Sequence, residues 1–411
     1  MIIMFGKGKV GNGIKNLLDN LSIDNILMDD EDRNDKLLDK SKKIIITPGI
    51  KQSHKIYQKY GTKIQSELNF LGELIKQLSL DIDIIGITGT NGKSTTTWVL
   101  YYLFKGLKIP QTNIYLSGNF DTPLSETILK ILKSKDKISK NIIILEASSF
   151  MLYKIKNFKF DYSILTNIST DHLDRHKSFK EYSDCKINIL KNTKKIGFTN
   201  TEIYKGLSEN LQKKVKTFND NFDISKSNFL GKHNQSNLKS CYLLAKQYLQ
   251  DNKMKQYINK IIPTINKISP LAHRLQLIKT INGIKIYDDG ICTSSHALNA
   301  ALSGFDKKVI LIAGGYDKGD DYIRLSKELE KTVGFACLIG QTSSKLKSIF
   351  NKLNIENHKY KTLKSAINGA IEQANKKGIK IILFSPGSAS FDMFKNVYDR
   401  VDKFNKLINK L

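Results

Sequence analysis

A lysine and four hydroxyl residues follow a glycine-rich turn in GITGTNGKSTTTW, Gly86–Trp98. Backbone N–H groups of such a turn, where it opens a helix, can cradle phosphate oxygens at the positive end of the helix dipole. Gly89, Thr90, Asn91 and Gly92 would form the cradle, the two glycines letting the backbone approach closely. Lys93 would bring charge to the β- and γ-phosphates, and Ser94 or Thr95 a hydroxyl to Mg²⁺. The strict pattern GxxxxGK[ST] is not met, because its first glycine would fall at Ile87; the match is to the shorter GTNGKS. The apolar run Ile82–Ile85 precedes the turn and a helix-like stretch follows it. Strand, phosphate-binding loop and helix are therefore expected in that order.

Other segments offer weaker chemistry. GKGKVG places Gly6, Gly8 and Gly11 in a GxGxxG pattern, with Asp29 near the position of a ribose-binding acid. Alone, that pattern admits a dinucleotide site, a degenerate Rossmann-like domain for another nucleotide, or a structural turn. Glu146 closes a very apolar strand, where an acid sharing a domain with a phosphate loop can hold Mg²⁺ through oxygen. His172 stands among Asp171, Asp174, Arg175 and His176, a composition that more often makes a solvated loop than a site. Lys186, in YSDCKINIL, reads by pattern as a lysine on a helix surface.

The elements that must position these groups are legible as short apolar runs ending in glycine or polar loops, alternating with helix-like stretches. That alternation predicts α/β architecture with parallel sheets, and such sheets bind ligands at the carboxyl ends of their strands. Three blocks are expected, 1–81, 82–270 and 271–411; the last carries KIYDDGICTSS, KVILIAGGYDKGDD and KIILFSPGSASFDMF. No apolar run approaches the ~18–20 residues that span a bilayer, and the N-terminus does not read as a signal peptide. The four cysteines are far apart and form no metal or disulfide pattern, as expected of a cytoplasmic protein. The net charge of +27 comes from lysines scattered among abundant Ile and Asn. It reads as compositional bias of the kind AT-rich coding produces, with steering of anionic small substrates as its consequence. A basic nucleic-acid-binding ATPase is the remote alternative, although no aromatic-basic RNA signature or zinc-finger spacing occurs, and no nucleic-acid partner is expected.

The order of the segments resembles the Mur ligase family, the ATP-dependent enzymes that build the stem peptide of peptidoglycan precursors. GTNGKST is similar to the family's ATP loop, LEASSF to LExSSF, NISTDHLDRH to NxxxDHxDR, GKHNQSN to GxHNxxN, and LAHRLQ to its PHR segment with Ala272 for proline. Within the family, TPGI, GGYDKGDD and SPGSASFDMFKN look like the branch that adds D-glutamate to UDP-N-acetylmuramoyl-L-alanine. The resemblance runs from about Gly6 to Phe404. It implies a three-domain α/β fold: a Rossmann-like UDP-binding domain, a central P-loop ATPase-like domain and a Rossmann-like C-terminal domain. By resemblance, Lys93, Ser94 and the Gly89–Gly92 loop hold ATP phosphates, Asn234 and Arg274 match residues around the adenine and phosphates, and Asp289 matches an acid near the ribose or the domain junction. Ser94 and Glu146 match ligands of one Mg²⁺, and His172 and Lys186 the neighbourhood of a second. The family's matching lysine carries a carbamate, so the resemblance reverses the surface reading of Lys186. Gly6, Gly8, Lys9, Val10, Gly11, Asp29, Asp30, Thr47 and Asn119 match the UDP-sugar side, and Thr293, Lys318 and Ser390 the pocket for glutamate carboxylates. The GxGxxG pattern thus reads as a UDP site.

One segment departs from the family pattern. DDGICTSS stands where this branch usually has a segment like NDSKATN, so Ile291 occupies the lysine position and Cys292 the alanine position. A related branch that adds L-glutamate also lacks that lysine, which leaves L-glutamate, or another amino acid, as the alternative substrate. The implied reaction activates a carboxylate as an acyl phosphate, which needs water exclusion, expected from closure of the third domain over the second. A monomer is expected.

Overall fold

The computed structural model describes residues 1–120, 122–134, 140–172, 175–218 and 226–411. Sixteen strands among the described residues form three sheets. The first comprises β1 (Ile2–Phe5), β2 (Asn25–Met28), β3 (Lys43–Ile46) and β4 (Ile64–Ser66), all parallel in the order β2-β1-β3-β4. The Gly6 turn leaves β1 where the chain crosses to one neighbour before returning to the other, the kind of crevice in which open α/β sheets bind ligands. Gly6 is required there: its φ is +114°, and a Cβ would collide with Thr47 Oγ1.

The second sheet comprises β5 (Ile82–Thr88), β6 (Thr112–Gly118), β7 (Lys140–Glu146), β8 (Phe160–Leu165), β9 (Thr193–Thr199) and β10 (Val215–Thr217). Its order is β10-β9-β8-β5-β7-β6, again parallel throughout. β5, β7 and β8 are central and buried on both faces; β7 carries the unbroken apolar run Ile142–Leu145 that such burial favours, while β5 and β8 admit the hydrogen-bonded acids Asp83 and Asp161. The phosphate-loop motif follows β5, the strand at which the sheet order reverses. Its helix, Lys93–Leu107, carries the chain's single tryptophan. The Trp98 ring lies 4.4 Å from Tyr102 and 6.1 Å from Phe120.

The third sheet comprises β11 (Gln276–Ile281), β12 (Ile284–Asp288), β13 (Val309–Ala313), β14 (Val333–Leu338), β15 (Asn357–Lys359) and β16 (Ile381–Phe384), in the order β11-β12-β16-β13-β14-β15. Only the β11–β12 pair is antiparallel among its described pairings. Asn282 and Gly283 join those two strands with positive φ at both residues, 49° and 78°, the two-residue hairpin turn that Asn-Gly favours. Separate apolar clusters cover its two faces, one around Leu311, Leu338 and Phe350, the other around Ile310, Ile382 and Phe404.

The chain divides into two compact units, Met1–Ile224 with Ser236–Asn266, and Ser225–Gln235 with Lys267–Leu411. The boundary expected at residue 81 therefore falls inside one unit. The physical reason is a shared core: Met4, Leu17 and Leu71 from the first sheet and its helices pack in one cluster with Ile84, Ile143, Leu145 and Phe158. The four cysteines are buried and unpaired, in keeping with their spacing. Among the described residues no helix is long and apolar enough to cross a membrane.

Candidate active site

The loop after β5 is built as its glycines require. Gly89 has φ +154° and Gly92 +80°, and Gly92 is the N-cap of the helix Lys93–Leu107. A Cβ at Gly89 would collide with Thr166 Oγ1, and one at Gly92 would come 2.6 Å from Asn237 Oδ1. The segment after β8 clamps the loop. Asn167 O accepts from Thr90 N at 2.9 Å, Asn167 Oδ1 from Asn91 N at 2.9 Å, and Thr166 Oγ1 donates to Asn91 O at 2.6 Å. Thr90 Oγ1 lies 2.9 Å from Tyr182 Oη and accepts from Ser169 N at 2.9 Å. The Lys93 ammonium folds back on the loop itself, donating to Gly89 O and Thr90 O, both at 2.8 Å. Ser94 and Thr95 lie half-buried in the first turn of the helix.

Lys186 is not the surface lysine that pattern alone suggests. It is 2% exposed on the helix Phe179–Lys191, and its Nζ donates to Gly89 O at 2.7 Å, 4.8 Å from the centre of the Tyr182 ring. Gly89 O thus accepts from two lysines. Burial, followed by the nearby charge of Lys93, pushes the Lys186 amine down to about 7. Glu146 and Asp171 are close enough to pull in the opposite direction.

Glu146 closes β7 at 2% exposure. Its Oε1 accepts from Asn119 Nδ2 at 2.9 Å, while Oε2 is buried with no hydrogen-bond partner. Asn119, matched to the sugar side, is thus also the residue that orients Glu146. His172 is half exposed, has φ +52° and pairs with Asp171, its Nε2 3.5 Å from Oδ2. Asp174 lies outside the described residues. His176, which the sequence did not single out, is the buried histidine here, 2.9 Å from Ser149 Oγ and stacked on Phe150 at 5.3 Å between centroids. No group of three His, Cys, Asp or Glu side chains able to hold a metal occurs among the described residues. A cation here would have to draw on hydroxyl and phosphate oxygens as well.

The first sheet contributes Gly8 as N-cap of the helix Lys9–Asn20, with Lys9 exposed and Val10 half-buried in its first turn. Gly11 lets that helix approach, because a Cβ would strike Gly6 O. Asp29 Oδ1 accepts from Glu31 N at 3.1 Å, Asp30 pairs with His54 at 2.9 Å, and Thr47 is buried beside Gly6. Val10, Pro48, Glu67, Asn119, Phe150 and Arg175 are among the residues lining a cavity of ≈ 250 Å³ in this unit.

In the second unit, Asp289 is buried at the end of β12, where its Oδ2 accepts from Ser385 Oγ at 2.7 Å and its Oδ1 from Leu275 N at 3.3 Å. Burial pushes its carboxyl up to about 7 against those bonds and the charge of Arg274. Arg274 and Lys318 are exposed, Ser390 is 2% exposed, and Thr293 and Ile291 are half-buried. Asn234 is 8% exposed and donates through Nδ2 to Leu230 O at 2.7 Å.

The sequence reading missed Arg400, which is fully buried. It donates to Gly290 O at 2.8 and 3.1 Å, Ser388 O at 2.8 Å and Cys292 O at 3.2 Å. A buried cation therefore braces the loop Gly290–Cys292, which carries Ile291. Arg400→Met would leave those carbonyls without their donor and is expected to lower unfolding free energy by about 3 kcal/mol, read from the denaturant midpoint. An unchanged midpoint would mean that the bracing is not structural.

Residues 87–222 match the family model described as "Mur ligase middle domain", and residues 273–387 match "Mur ligase, glutamate ligase domain". The chain is 34% identical to a protein named UDP-N-acetylmuramoylalanine--D-glutamate ligase from Clostridium botulinum (strain Alaska E43 / Type E3), over 80% of this chain and 74% of that one. It is 30% identical to a protein of the same name from Caldicellulosiruptor bescii, over 92% and 85%. The crystal structure of MurF ligase from Thermotoga maritima in complex with ADP is similar in fold, with a TM-score of 0.57 at 16% identity over 91% of this chain and 90% of that one. The chain belongs to the Mur ligase family.

Proposed function

We propose that this protein is an ATP-dependent ligase that adds D-glutamate to UDP-N-acetylmuramoyl-L-alanine during peptidoglycan precursor synthesis. The relatives that match most of its length carry that name. The observation that carries the active-site reading is the loop Gly89–Gly92, its carbonyl at Gly89 shared by Lys93 and the buried Lys186. We also propose three domains with the boundaries 1–81, 82–270 and 271–411, and a monomer working in the cytoplasm on small-molecule substrates.

A carboxylate is a poor electrophile, so the substrate's alanyl carboxylate must first be activated. Its oxygen attacks the γ-phosphorus of ATP, giving an acyl phosphate and ADP. The amine of glutamate then attacks the acyl carbon; phosphate leaves, and the amine loses a proton as the amide forms. Two anions approach in the first step, so the protein's task is charge neutralisation and positioning. The loop Gly89–Gly92, with Thr90 N and Asn91 N held by Asn167, presents the N-terminus of the helix it opens to the phosphates, and Lys93 exchanges its two carbonyl acceptors for phosphate oxygens. Ser94 and the unpartnered Glu146 Oε2 suit one Mg²⁺; His172 and Lys186 as a carbamate suit a second. When bound, such ions would neutralise phosphate charge. A lysine held near 7 is substantially neutral at physiological pH, as attack on CO₂ requires; the product is a carbamate anion and a proton. The loops bearing Thr293, Lys318 and Ser390 are the reading for glutamate. Asn234, Arg274 and Asp289 are the reading for the nucleoside.

Ile291 favours L-glutamate as the second reading. Release of ADP and phosphate from Mg-ATP and UDP-N-acetylmuramoyl-L-alanine is expected with D-glutamate, not with L-glutamate or with neither. Mass spectrometry would identify the product. Product with L-glutamate alone would replace the first reading by the second.

A further inference from the structure

Glu67 is the first residue of the helix Glu67–Gln77, and Ser66 caps that helix. It is 2% exposed, and neither carboxylate oxygen has a hydrogen-bond partner. Two other buried carboxylates of this unit are satisfied. Asp83 accepts from Tyr248 Oη at 2.7 Å and pairs with Lys140, and Asp161 accepts from Ile84 N at 2.8 Å and pairs with Lys194. An acid at the first position of a helix gains from the helix dipole, but that gain is small beside the cost of leaving two buried oxygens unpaired.

The side chain has somewhere to act. Glu67 lines the ≈ 250 Å³ cavity with Val10, Asn119, Phe150 and Arg175, and also a neighbouring one of ≈ 660 Å³. Arg175 does not neutralise it by a hydrogen bond: its Nη2 donates to Pro48 O at 2.9 Å and its guanidinium lies 4.2 Å over the Phe150 ring. On another wall Asn119 holds Glu146, the second carboxylate here with an unpartnered buried oxygen. The smaller cavity lies just below the usual ~300–1,000 Å³ range of ligand pockets, a size for one ring rather than a whole nucleotide sugar. A carboxyl group accepts from O–H and N–H donors and repels phosphate.

We propose that Glu67 recognises the sugar of the nucleotide-sugar substrate, its carboxyl oxygens accepting hydrogen bonds from hydroxyl or acetamido N–H groups. The assignment rests on the UDP-sugar reading above. It makes Glu67 the residue that tells the sugar-bearing nucleotide from the bare one. Calorimetric titration of the intact protein with UDP-N-acetylmuramoyl-L-alanine and with UDP, without ATP, tests it. Glu67→Gln is expected to weaken the nucleotide sugar about tenfold and UDP by less than about twofold. Glu67→Leu, with no acceptor left, is expected to weaken the nucleotide sugar further, without loss of thermal stability, because an unpaired buried carboxyl has gone. If the leucine variant does not fold, the glutamine variant decides. Equal weakening of both ligands, or of neither, overturns the proposal. A wild type that binds neither ligand sinks the UDP-sugar reading itself, a result separable from the variant comparison.

Discussion

Lys93→Ala is expected to lower kcat by roughly 10²–10³-fold while the protein stays folded. The resting contacts of the ammonium include two carbonyls of its own loop, Gly89 O and Thr90 O. Of these, Gly89 O keeps a donor in Lys186, and the loop keeps its clamp from Thr166 and Asn167. The fold therefore loses little. The reaction loses a side-chain cation placed at the cradle, at the moment when charge on the transferring phosphoryl group is shared between attacking and leaving oxygens. Steady-state ADP release together with a thermal melt measures both sides. A variant with wild-type kcat would remove Lys93 from the phosphate site, and one that unfolds would make the lysine structural instead.

Lys186→Ala is the second large effect: turnover falls by roughly the same factor, and short carboxylates such as formate or acetate restore part of it by standing in for the carbamate. Activity of the wild type should fall in CO₂-free buffer and return with bicarbonate. The same residue leaves a mark on stability. Burial holds its amine at about 7, well below the ordinary lysine value of 10.5, so across that window the unfolded chain binds a proton that the native one does not. Wild-type stability in CO₂-free buffer should therefore rise as pH climbs from about 7 towards 10.5, a slope that Lys186→Ala abolishes. Wild-type activity in Lys186→Ala, with no response to added carboxylates, would rule out the carbamate.

The sequence made the central strands legible because parallel strands buried on both faces must be apolar throughout, as in Ile142–Leu145 and Val309–Ala313. Edge strands such as Asn357–Lys359 and Val215–Thr217 bury little and leave no such run to read. The loop glycines were legible because positive φ and close approach leave no alternative to glycine. Burial of a polar side chain was not. Lys186 sits among helix-surface residue types, and only the tertiary fold puts its ammonium on Gly89 O. Arg400 and Glu67 were silent for the same reason. Arginine near a helix start and glutamate at one are ordinary choices, and what distinguishes these two is the set of carbonyls, or the absence of donors, around them.

Trp98 lies on the same helix that Gly92 caps and Lys93 opens, with its ring against Tyr102 and Phe120, the residue after Asn119. The chain has no other tryptophan. Its intrinsic emission is therefore a single-site optical signal, placed between the phosphate loop and the turn that orients Glu146. Nucleotide loading is expected to change that signal on the unlabelled, unmutated protein, without coupling to turnover.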